Sequence, residues 1–594
     1  MAKKKRPASA PEASPLAATC AALLLGGVLP LLSSPTATDP FMPLRLLVLG
    51  LGLAVGMLAV SRDRLSRRIV VVLGLGAAAF TIAAVTGRTP VLSLIGRYPR
   101  YEGLPMVAAY ALALAVGARM LSSSLPRRTF TAALAGAAGL NGVVAAGQAL
   151  FGGGDRVTGL LGNATTLGTF GLVAAIVVGW SLRTSPRALS WVGLIGAAAC
   201  VALSASRGVL VGVAVSVAVM LLLRRRDATS PRWQAIAGAG AVLLVGSLLI
   251  PQTAARITGA SPFAESTISG RLLLWGESVR LWLAHPVTGT GPSRFVDEIN
   301  PFNTPQWAAA VGPYAPPDSP HNVALQVLCG TGLLGLAALV AIAVTAARDA
   351  LSARTPQLIP ATAMAAGLVA TYLTSFTDPV TTTLGALVIG GAIATRHDGP
   401  VPTWVRATSS ASVAAVALWL GITLVVAEAQ YSRVLTSSAP EASAVSAMSA
   451  RPWDPDVTRR VAYTVTKLAE TSQADITYVL EPLEAACNSL PGSVECQLTL
   501  SSARDVTGDH ARALAAADAA LTFAPTNVDA HLARGIALAE LSRYNDSEAS
   551  FLEASRLRPT ASEPWSDLAH LYTLMGRTAD SQAAKAKADA LAKR

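Results

Sequence analysis

The 594-residue sequence is poor in charge and in metal-binding side chains. Only 14% of its residues are charged, and it contains 6 histidines and 5 cysteines. None of the cysteines forms a metal-binding motif, and no set of histidine, aspartate and glutamate at ligand spacing surrounds His285. The sequence also lacks a Gly-x-Ser-x-Gly elbow, which argues against a hydrolase built on that motif. It therefore predicts neither a metal site nor another cofactor.

The formal net charge of +12 does not indicate a nucleic-acid partner. The basic residues form short clusters between long apolar runs, a pattern typical of membrane topology signals. Hydrophobic residues make up 52% of the chain, which places it with membrane proteins. No cleavable signal peptide is predicted after the first apolar run. We therefore expect the lipid bilayer, and not nucleic acid, to surround much of this chain.

Thirteen apolar runs are long enough to cross a bilayer. The predicted fold is thus all-α, a polytopic protein of the cytoplasmic membrane with about 12–13 transmembrane helices. The runs span 16–35, 42–60, 69–86, 104–121, 130–151, 167–182, 188–204, 208–223, 233–250, 322–346, 357–376, 379–395 and 405–427.

Alternate connections between the runs carry the larger share of lysine and arginine. The positive-inside rule makes that side cytoplasmic, and this side includes the basic N-terminal segment 1–15. An odd number of spans then places the C-terminal tail outside. The cytoplasmic basic residues are Lys3, Lys4, Lys5, Arg6, Arg62, Arg64, Arg67, Arg68, Arg127, Arg128, Arg183, Arg187, Arg224, Arg225, Arg226, Arg232, Arg348, Arg354, Arg396 and Arg406.

Several arginines remain on the predicted outer side, where topology does not call for them. Arg207 lies in Ser-Arg-Gly at 206–208, Arg271 lies in Gly-Arg-Leu at 270–272, and two more lie in the segment 97–103. An arginine keeps its charge and presents a planar fork that binds phosphate in two places. Such residues predict an anion site on the outer face, although solvation at span ends also explains Arg88, Arg256 or Arg280.

The long connection 251–320 leads directly to His321-Asn322, which Gly332 and Gly335 follow. A loop of this length is usually functional, and a titratable imidazole at a membrane surface indicates a catalytic site. Within the loop, a helix is predicted over 272–283, and Gly-Thr-Gly-Pro at 289–292 predicts a turn with only a weak phosphate-binding signal. Asp318 could orient the imidazole or be an exposed turn carboxylate.

The tail from residue 431 is helical and rich in alanine. Pro491, Pro525 and Pro559 recur at intervals of 34 residues, and Trp565, Leu568, Ala569 and Tyr572 follow the last of them in the spacing of tetratricopeptide repeats. We expect a TPR-like α-solenoid over 431–594 that recruits a protein partner and is separable from the membrane domain 16–430. Cys487 and Cys496 could pair if the tail faces an oxidising compartment.

These motifs together resemble the O-antigen ligase and Wzy-type O-antigen polymerase superfamily of bacterial membrane glycosyltransferases. The resemblance is clearest over 201–345. It rests on Ser-Arg-Gly at 206–208, Gly-Arg-Leu-x-x-Trp at 270–275, Pro-x-x-Gly-x-Gly at 286–291 and His-Asn-x9-Gly-x-x-Gly at 321–335. Residues 159–163 are similar to the family's G-x-x-G-N segment, although Ala164-Thr165 replaces the usual Pro-Asn. Residues 97–103 resemble an outer loop of some Gram-positive members.

The resemblance implies transfer of a glycan from a polyprenyl-diphosphate carrier to an acceptor hydroxyl at the outer face of the membrane, without a metal. Arg207 and Arg271 would then stabilise the diphosphate, and His321 would be the general base. The same resemblance implies substrate-binding roles for Arg97, Arg100, Glu102, Asn163 and Asn322. Direct displacement without a carboxylate nucleophile implies inversion at the anomeric carbon.

Two other functions stay open. A flippase or transporter for lipid-linked glycans also needs arginines that face a phosphate, but it predicts charges buried within the spans, which are almost uncharged here. A non-catalytic scaffold for cell-envelope assembly would use the tail to recruit partners. Within the transferase reading, ligase and polymerase differ only in the acceptor, and the acceptor could be a glycan, a lipid or a protein.

Overall fold

A computed structural model describes most of the chain. It covers residues 15–34, 39–152, 156–182, 187–224, 238, 240, 243, 245–250, 253–255, 262–311, 317–353, 358–437, 440–472 and 474–593. The predicted span 233–250 and the loop residues 256–261 and 312–316 lie mostly or wholly outside this part of the chain.

The described residues are predominantly helical, as the sequence predicts. A π-helical turn at Leu24–Val28 and a 3-10 turn at Leu29–Leu31 extend the first helix, and further 3-10 turns lie at Asn300–Phe302 and Thr477–Val479. The elements are α1 (Leu16–Leu23), α2 (Met42–Met57), β1 (Asp63–Arg64), α3 (Arg67–Thr86), α4 (Pro90–Ile95), α5 (Leu104–Met120), α6 (Ser124–Phe151), α7 (Ala164–Trp180), α8 (Arg187–Leu203), α9 (Arg207–Arg224), α10 (Pro262–Ala284), α11 (Phe295–Glu298), α12 (Pro305–Val311), α13 (Val323–Ala353), α14 (Leu358–Tyr372), α15 (Pro379–Ala392), β2 (Thr395–Arg396), α16 (Thr403–Val434), α17 (Pro440–Ala450), α18 (Pro455–Ser472), α19 (Leu480–Ser489), α20 (Val494–Val506), α21 (His510–Phe523), α22 (Val528–Glu540), α23 (Tyr544–Leu557), α24 (Glu563–Leu574) and α25 (Thr578–Ala592).

Twelve of the thirteen predicted spans coincide with apolar helices. By length and composition, α3, α6, α13 and α16 can each cross a membrane, and eight further apolar helices are shorter. Three of the long helices, α3, α13 and α16, leave most of their residues outside the buried core, and Leu75 and Trp404 are among their exposed side chains. Large apolar side chains on an outer surface are expected where lipid replaces water. The chain is therefore an all-α, multi-pass membrane protein.

Small residues let the central helices approach closely. A Cβ atom on Gly142 in α6 would lie 2.5 Å from Cα of Gly196 in α8. A Cβ on Gly117 in α5 would collide with the backbone of Leu387 in α15. Such glycines bring helix backbones together in membranes, where no hydrophobic effect between helices drives association. Gly142 and Gly117 are thus packing residues.

The two ends of the helical bundle differ in character. At one end, β1 pairs with β2, and Arg406 donates to the carbonyl of Leu58 at 2.7 Å. Ser66, the N-cap of α3, donates to Asp349 near the end of α13. Arg64, Arg396 and Arg406, which the sequence predicts to be cytoplasmic, lie at this end. The arginine and histidine motifs lie at the opposite end.

The tail consists of helix pairs with a 34-residue period. The pairs α20–α21, α22–α23 and α24–α25 pack antiparallel, and neighbouring pairs stack on one another. Gly508, Ser542 and Gly576 occupy the equivalent turn of each pair, and all three have positive φ. Ser547 in the second pair and Ser581 in the third donate equivalent hydrogen bonds across their pairs, to Gly535 and Ala569. These features confirm the TPR-like solenoid.

The tail does not begin a separate core at residue 431. Leu92 of α4 and Ala427 of α16 belong to the same buried apolar cluster as Val461 in α18 and Leu483 in α19. The first tail helices therefore pack directly on the end of the bundle that carries the arginine and histidine motifs. This shared core argues against the simple separability that the sequence suggests.

Candidate functional site

His321 is held at the start of α13 by three backbone features. Its φ of 50° places it in the left-handed region, and its N–H donates to Oγ of Ser319 at 3.2 Å. Trp275 donates from Nε1 to the carbonyl of Pro320 at 2.9 Å. Asn322 then caps α13 by accepting from the N–H groups of Ala324 and Leu325. The strained backbone at a polar residue is the kind of feature found at functional sites.

Helix α10 brings Arg271 to the same place. Arg271 lies four residues before Trp275, so both side chains share one face of the helix, and Trp275 is bonded to the residue before His321. Among the described residues, no carboxylate lies within ion-pair distance of Arg271. The observed helix begins at Pro262, ten residues before the predicted start, and ends at Ala284 before His285-Pro286.

Arg207 begins α9 directly after a tight backbone turn. Ala205 has a φ of 47°, and the hydroxyl of Ser206 lies 3.3 Å from that of Thr165 at the start of α7. The positive charge of Arg207 acts on Arg271: burial first, and then the nearby Arg207, lower the pKa of the Arg271 guanidinium. The structure thus brings two arginines from distant segments within electrostatic reach of each other.

Burial lowers the pKa of His321 to about 4. The carboxylate of Asp318 opposes this effect, whereas the charges of Arg100 and Arg271 add to it. The imidazole is therefore neutral at ordinary pH, the state that can accept a proton. Among the described residues, neither of its ring nitrogens has a hydrogen-bond partner, so the ring can accept a bond from a ligand.

Arg100 fixes the surroundings of His321 without bonding to it. Its guanidinium forms two hydrogen bonds to Asp318, at 2.8 and 2.9 Å, and its central carbon lies 3.7 Å from the ring centroid of Phe376. The Phe376 ring in turn lies 5.6 Å from the imidazole, centroid to centroid. Asp318 is thus bound by Arg100, and is neither an exposed turn carboxylate nor bonded to the imidazole.

Glu102, in the 97–103 segment, contacts two other parts of the chain. It accepts from Oγ1 of Thr377 at 3.0 Å and from the side-chain amide of Gln326. Burial raises the pKa of its carboxyl, although Arg100 and the two hydrogen bonds oppose that rise. Glu102 therefore links the 97–103 segment to α13 and to the segment before α15.

Asn163 has a structural contact of its own. Its side chain caps α7 by accepting from the N–H groups of Thr165 and Thr166. The preceding residues are held by Arg45, which donates to the carbonyls of Leu160 and Leu161. Asn163 and Asn322 therefore both cap a helix N-terminus, a position at which asparagine is strongly preferred.

The glycines of the motifs join the long loop to α13. The N–H groups of Thr290 and Gly291 donate to the carbonyls of Cys329 and Gly330, at 2.8 and 3.1 Å. Gly332 has a φ of 60° and interrupts the helix there, and a Cβ on it would collide with the backbone of Val287. The loop N–H groups are thus used internally, which leaves them unavailable as a phosphate cradle.

Arg97 faces the tail instead of His321. It is only 4% exposed and binds Asp456 of α18 through two hydrogen bonds of 2.8 and 2.9 Å, and it also pairs with Asp297 of α11. Burial lowers its pKa, but the two carboxylates outweigh this and hold it above the ordinary value. Of the eight site residues predicted from sequence, Arg97 is the one directed at the tail.

Sequence reasoning missed how the imidazole is supported. Phe376 was not singled out, since a single aromatic residue near a span end is a common feature, and Trp275 was noted only as the last residue of the Gly-Arg-Leu-x-x-Trp motif, without its contact to Pro320. The spacing of four residues between Arg271 and Trp275 was the available signal for a shared helix face. Among the residues that the structure describes, no group of three or more histidines, cysteines, aspartates and glutamates could hold a metal ion.

With this geometry established, the comparison with known families is informative. Residues 192–340 match the O-antigen ligase family model. The matched segment contains Arg207, Arg271, His321 and the glycine motifs at 286–291 and 332–335. No curated protein matches the chain.

The solved structures that are similar to part of this chain include TPR proteins. A thermophilic TPR protein of Thermus thermophilus is 26% identical, with 30% of this chain and 90% of that one covered and a TM-score of 0.24. MamA of MSR-1 is 20% identical, with 30% of this chain and 96% of that one covered, also with a TM-score of 0.24.

Proposed function

We propose that the protein transfers a glycan from a polyprenyl-diphosphate carrier to an acceptor hydroxyl, at the outer face of the cytoplasmic membrane. The observation that carries this proposal is the convergence of a neutral imidazole, His321, with two arginines, Arg207 and Arg271, at one end of the helical bundle. The O-antigen ligase domain that contains all three residues supports it.

The arginines account for the donor. Two guanidinium groups within electrostatic reach of each other repel, and this repulsion contributes to the lowered pKa of Arg271. A diphosphate placed between them relieves the repulsion and is bound through bidentate hydrogen bonds. As the bond from the anomeric carbon to the diphosphate oxygen breaks, the leaving oxygen gains negative charge, which the same groups stabilise without proton transfer.

His321 accounts for the acceptor. The acceptor oxygen forms a bond to the anomeric carbon from the face opposite the diphosphate, and its proton passes to a ring nitrogen of His321. The bond to the diphosphate breaks in the same displacement, so the configuration inverts. A general base contributes roughly 10²–10⁴-fold to rate. This mechanism uses no metal.

The disulfide supports the proposed sidedness. Cys487 and Cys496 are bonded to each other in the tail, and such bonds persist in oxidising compartments. The tail and the His321 end of the bundle are in contact, so they share one side of the membrane. We propose that this is the outer side and that the N-terminus is cytoplasmic.

The test is transfer of glycan by purified full-length protein from a purified lipid-linked donor. We expect His321→Ala to lose at least roughly a hundredfold in kcat while its thermal unfolding stays unchanged, because an unbonded imidazole contributes little to packing. Arg280→Lys is the matched control for Arg271→Lys, since Arg280 lies on the same helix as Arg271 but is half exposed. Normal turnover by His321→Ala would refute the general-base role, and loss of activity on chelation would refute a metal-free reaction.

A flippase is the alternative that the same arginines allow. It moves the donor across the bilayer without consuming it. Release of free polyprenyl diphosphate by the purified protein, in the presence of acceptor, separates the two functions.

A further inference from the structure

The tail contacts the outer loops through buried charges. Arg294 is fully buried, pairs with Glu298 at 2.9 Å and donates to the carbonyl of Pro491 in the tail at 2.8 Å. It also lies 2.8 Å from Asp297, which pairs in turn with Arg97, the partner of Asp456. Buried charges are costly unless each is paired, so this arrangement holds only while the tail and the loops stay together.

A second set of contacts fixes the same segment from the membrane side. Arg460 of α18 pairs with Glu428 of α16, and its guanidinium carbon lies 4.1 Å from the ring centroid of Tyr98. Further along the tail, Thr526 donates a hydrogen bond to the carbonyl of Asn303, and Arg558 donates one to the carbonyl of Ala308. Arg97 and Tyr98 thus both contact charged side chains of α18, Asp456 and Arg460.

Residues 97–101 form one closed turn. The N–H of Tyr101 donates to the carbonyl of Arg97 at 2.7 Å, and Tyr101 itself has a φ of 52°. Arg97 and Arg100 are therefore on one short, rigid unit. Arg97 binds the tail, whereas Arg100 binds Asp318 and covers the ring of Phe376 beside His321.

We propose that the tail is part of the catalytic unit, and that Asp456 acts through the 97–101 turn as a positioning residue for His321. This inference rests on the proposed function. It replaces the view of the tail as a separable recruitment domain. It also gives any partner that binds the first tail helices a route by which to alter catalysis.

The charged groups around His321 provide a readout specific to positioning. Asp318, Arg100 and Arg271 act on the imidazole directly, Arg207 acts on Arg271, and Glu102 lies beside Arg100. If the turn loosens, the imidazole gains solvent and loses the Arg100 charge. Both changes raise the pKa of His321 from about 4 towards its ordinary value.

The experiment compares Asp456→Asn with wild type in the full-length protein, measuring kcat/KM for transfer between about pH 4 and 8, the range over which histidine titrates. We expect a loss of about tenfold or more at pH 7, since small misplacements of reacting groups cost that much. We also expect the acid limb of the profile to move to higher pH. Asp546→Asn is the control, because Asp546 forms an exposed ion pair with Arg543 in the same tail.

A merely structural role for Asp456 would lower the amount of active protein equally at every pH. An unmoved acid limb in Asp456→Asn would therefore overturn the inference. Should Asp456→Asn fail to fold, the second variant is Arg97→Lys, which keeps the charge but loses the two-pronged bond. We expect its acid limb to move to higher pH by a smaller amount. An unmoved acid limb in Arg97→Lys also overturns the inference. If His321→Ala is inactive and the acid limb of Asp456→Asn does not move, only this inference is refuted. If His321→Ala is active, the proposed function is refuted.

Discussion

The lower pH limit of the proposed transfer reaction depends on the burial of the His321 imidazole. With a pKa of about 4 for His321, about 3% of the rings are protonated at pH 5.5. A solvent-exposed histidine with a pKa of about 6.5 would be about 90% protonated there. We therefore expect kcat/KM for transfer to be nearly the same at pH 5.5 as at pH 7, and to fall to half only near pH 4.

The bound donor shifts this limit in a definite direction. A diphosphate beside the ring favours the imidazolium, so the pKa of His321 is higher in the complex than in the free enzyme. Because kcat reports the complex and kcat/KM reports the free enzyme, the acid limb of kcat should lie at higher pH than that of kcat/KM. Coincident limbs would mean that the diphosphate does not lie near His321.

Two substitutions should move the limb in opposite directions. Arg100→Gln removes a cation and leaves the Asp318 carboxylate uncompensated near the ring, so the pKa of His321 should rise. Asp318→Asn leaves the Arg100 charge uncompensated, so the pKa should fall further. The assay is initial-rate transfer over the pH range. A wild-type midpoint near the ordinary value of about 6.5, or shifts of the same sign in both variants, would refute the electrostatic reasoning.

The protein must remain folded over the pH range in which the acid limb of the rate profile is measured. The pKa of His321 is lower in the folded state than in the unfolded chain, so its contribution to stability declines as pH falls from about 6.5 towards 4. The pKa of Asp456 is also low: burial alone would raise it, but Arg97 outweighs that effect. The pair that Asp456 forms with Arg97 therefore survives to lower pH than an ordinary aspartate pair. Thermal unfolding measured at each pH separates loss of fold from protonation of the base.

Three further results are expected. Arg207→Lys and Arg271→Lys should each lose at least about tenfold in kcat/KM despite the retained charge, because a point ammonium cannot replace the guanidinium fork; near-normal rates would remove them from the diphosphate site. Gly332→Ala should lower the apparent melting temperature, since its φ of 60° and the adjacent Val287 carbonyl leave no room for a Cβ, at a cost of about 1–3 kcal/mol; Gly276→Ala, with open space around it, is the control. Replacing Cys487 and Cys496 by serine should destabilise the tail by about 2.5 kcal/mol, visible as earlier loss of tail protection in hydrogen exchange; unchanged protection would show that packing alone holds that turn.

The sequence predicted the elements that depend on local pattern. Hydrophobic runs fix where helices cross the bilayer, because each backbone polar group in lipid must bond within its own segment. The 34-residue period of the tail is likewise local, since each repeat needs the same turn, and Gly508, Ser542 and Gly576 supply it. The motifs at 206–208, 270–275 and 321–335 were also visible as residue types suited to phosphate and proton transfer.

The sequence did not show which side chains those residues contact. Asn163 and Asn322 have the right chemistry for a sugar, yet their capping contacts depend only on where α7 and α13 begin. The sequence left two roles open for Asp318. In the structure its carboxylate accepts a hydrogen bond from Arg100, 218 residues away along the chain. Phe376 carried no signal at all, because an isolated phenylalanine looks the same in a core, at a span end or beside a base.

The chain by itself thus determined that this is an all-α membrane protein with a repeat tail, and it predicted an anion site from a set of arginines and a catalytic role for one distinctive histidine. Tertiary structure decided that the tail lies against the loops at the His321 end of the bundle, since the pairing of Arg97 with Asp456 joins residues that no local period connects. It also decided the protonation of His321. An imidazole pKa depends on burial and on neighbouring charges, and those neighbours come from three separate parts of the chain.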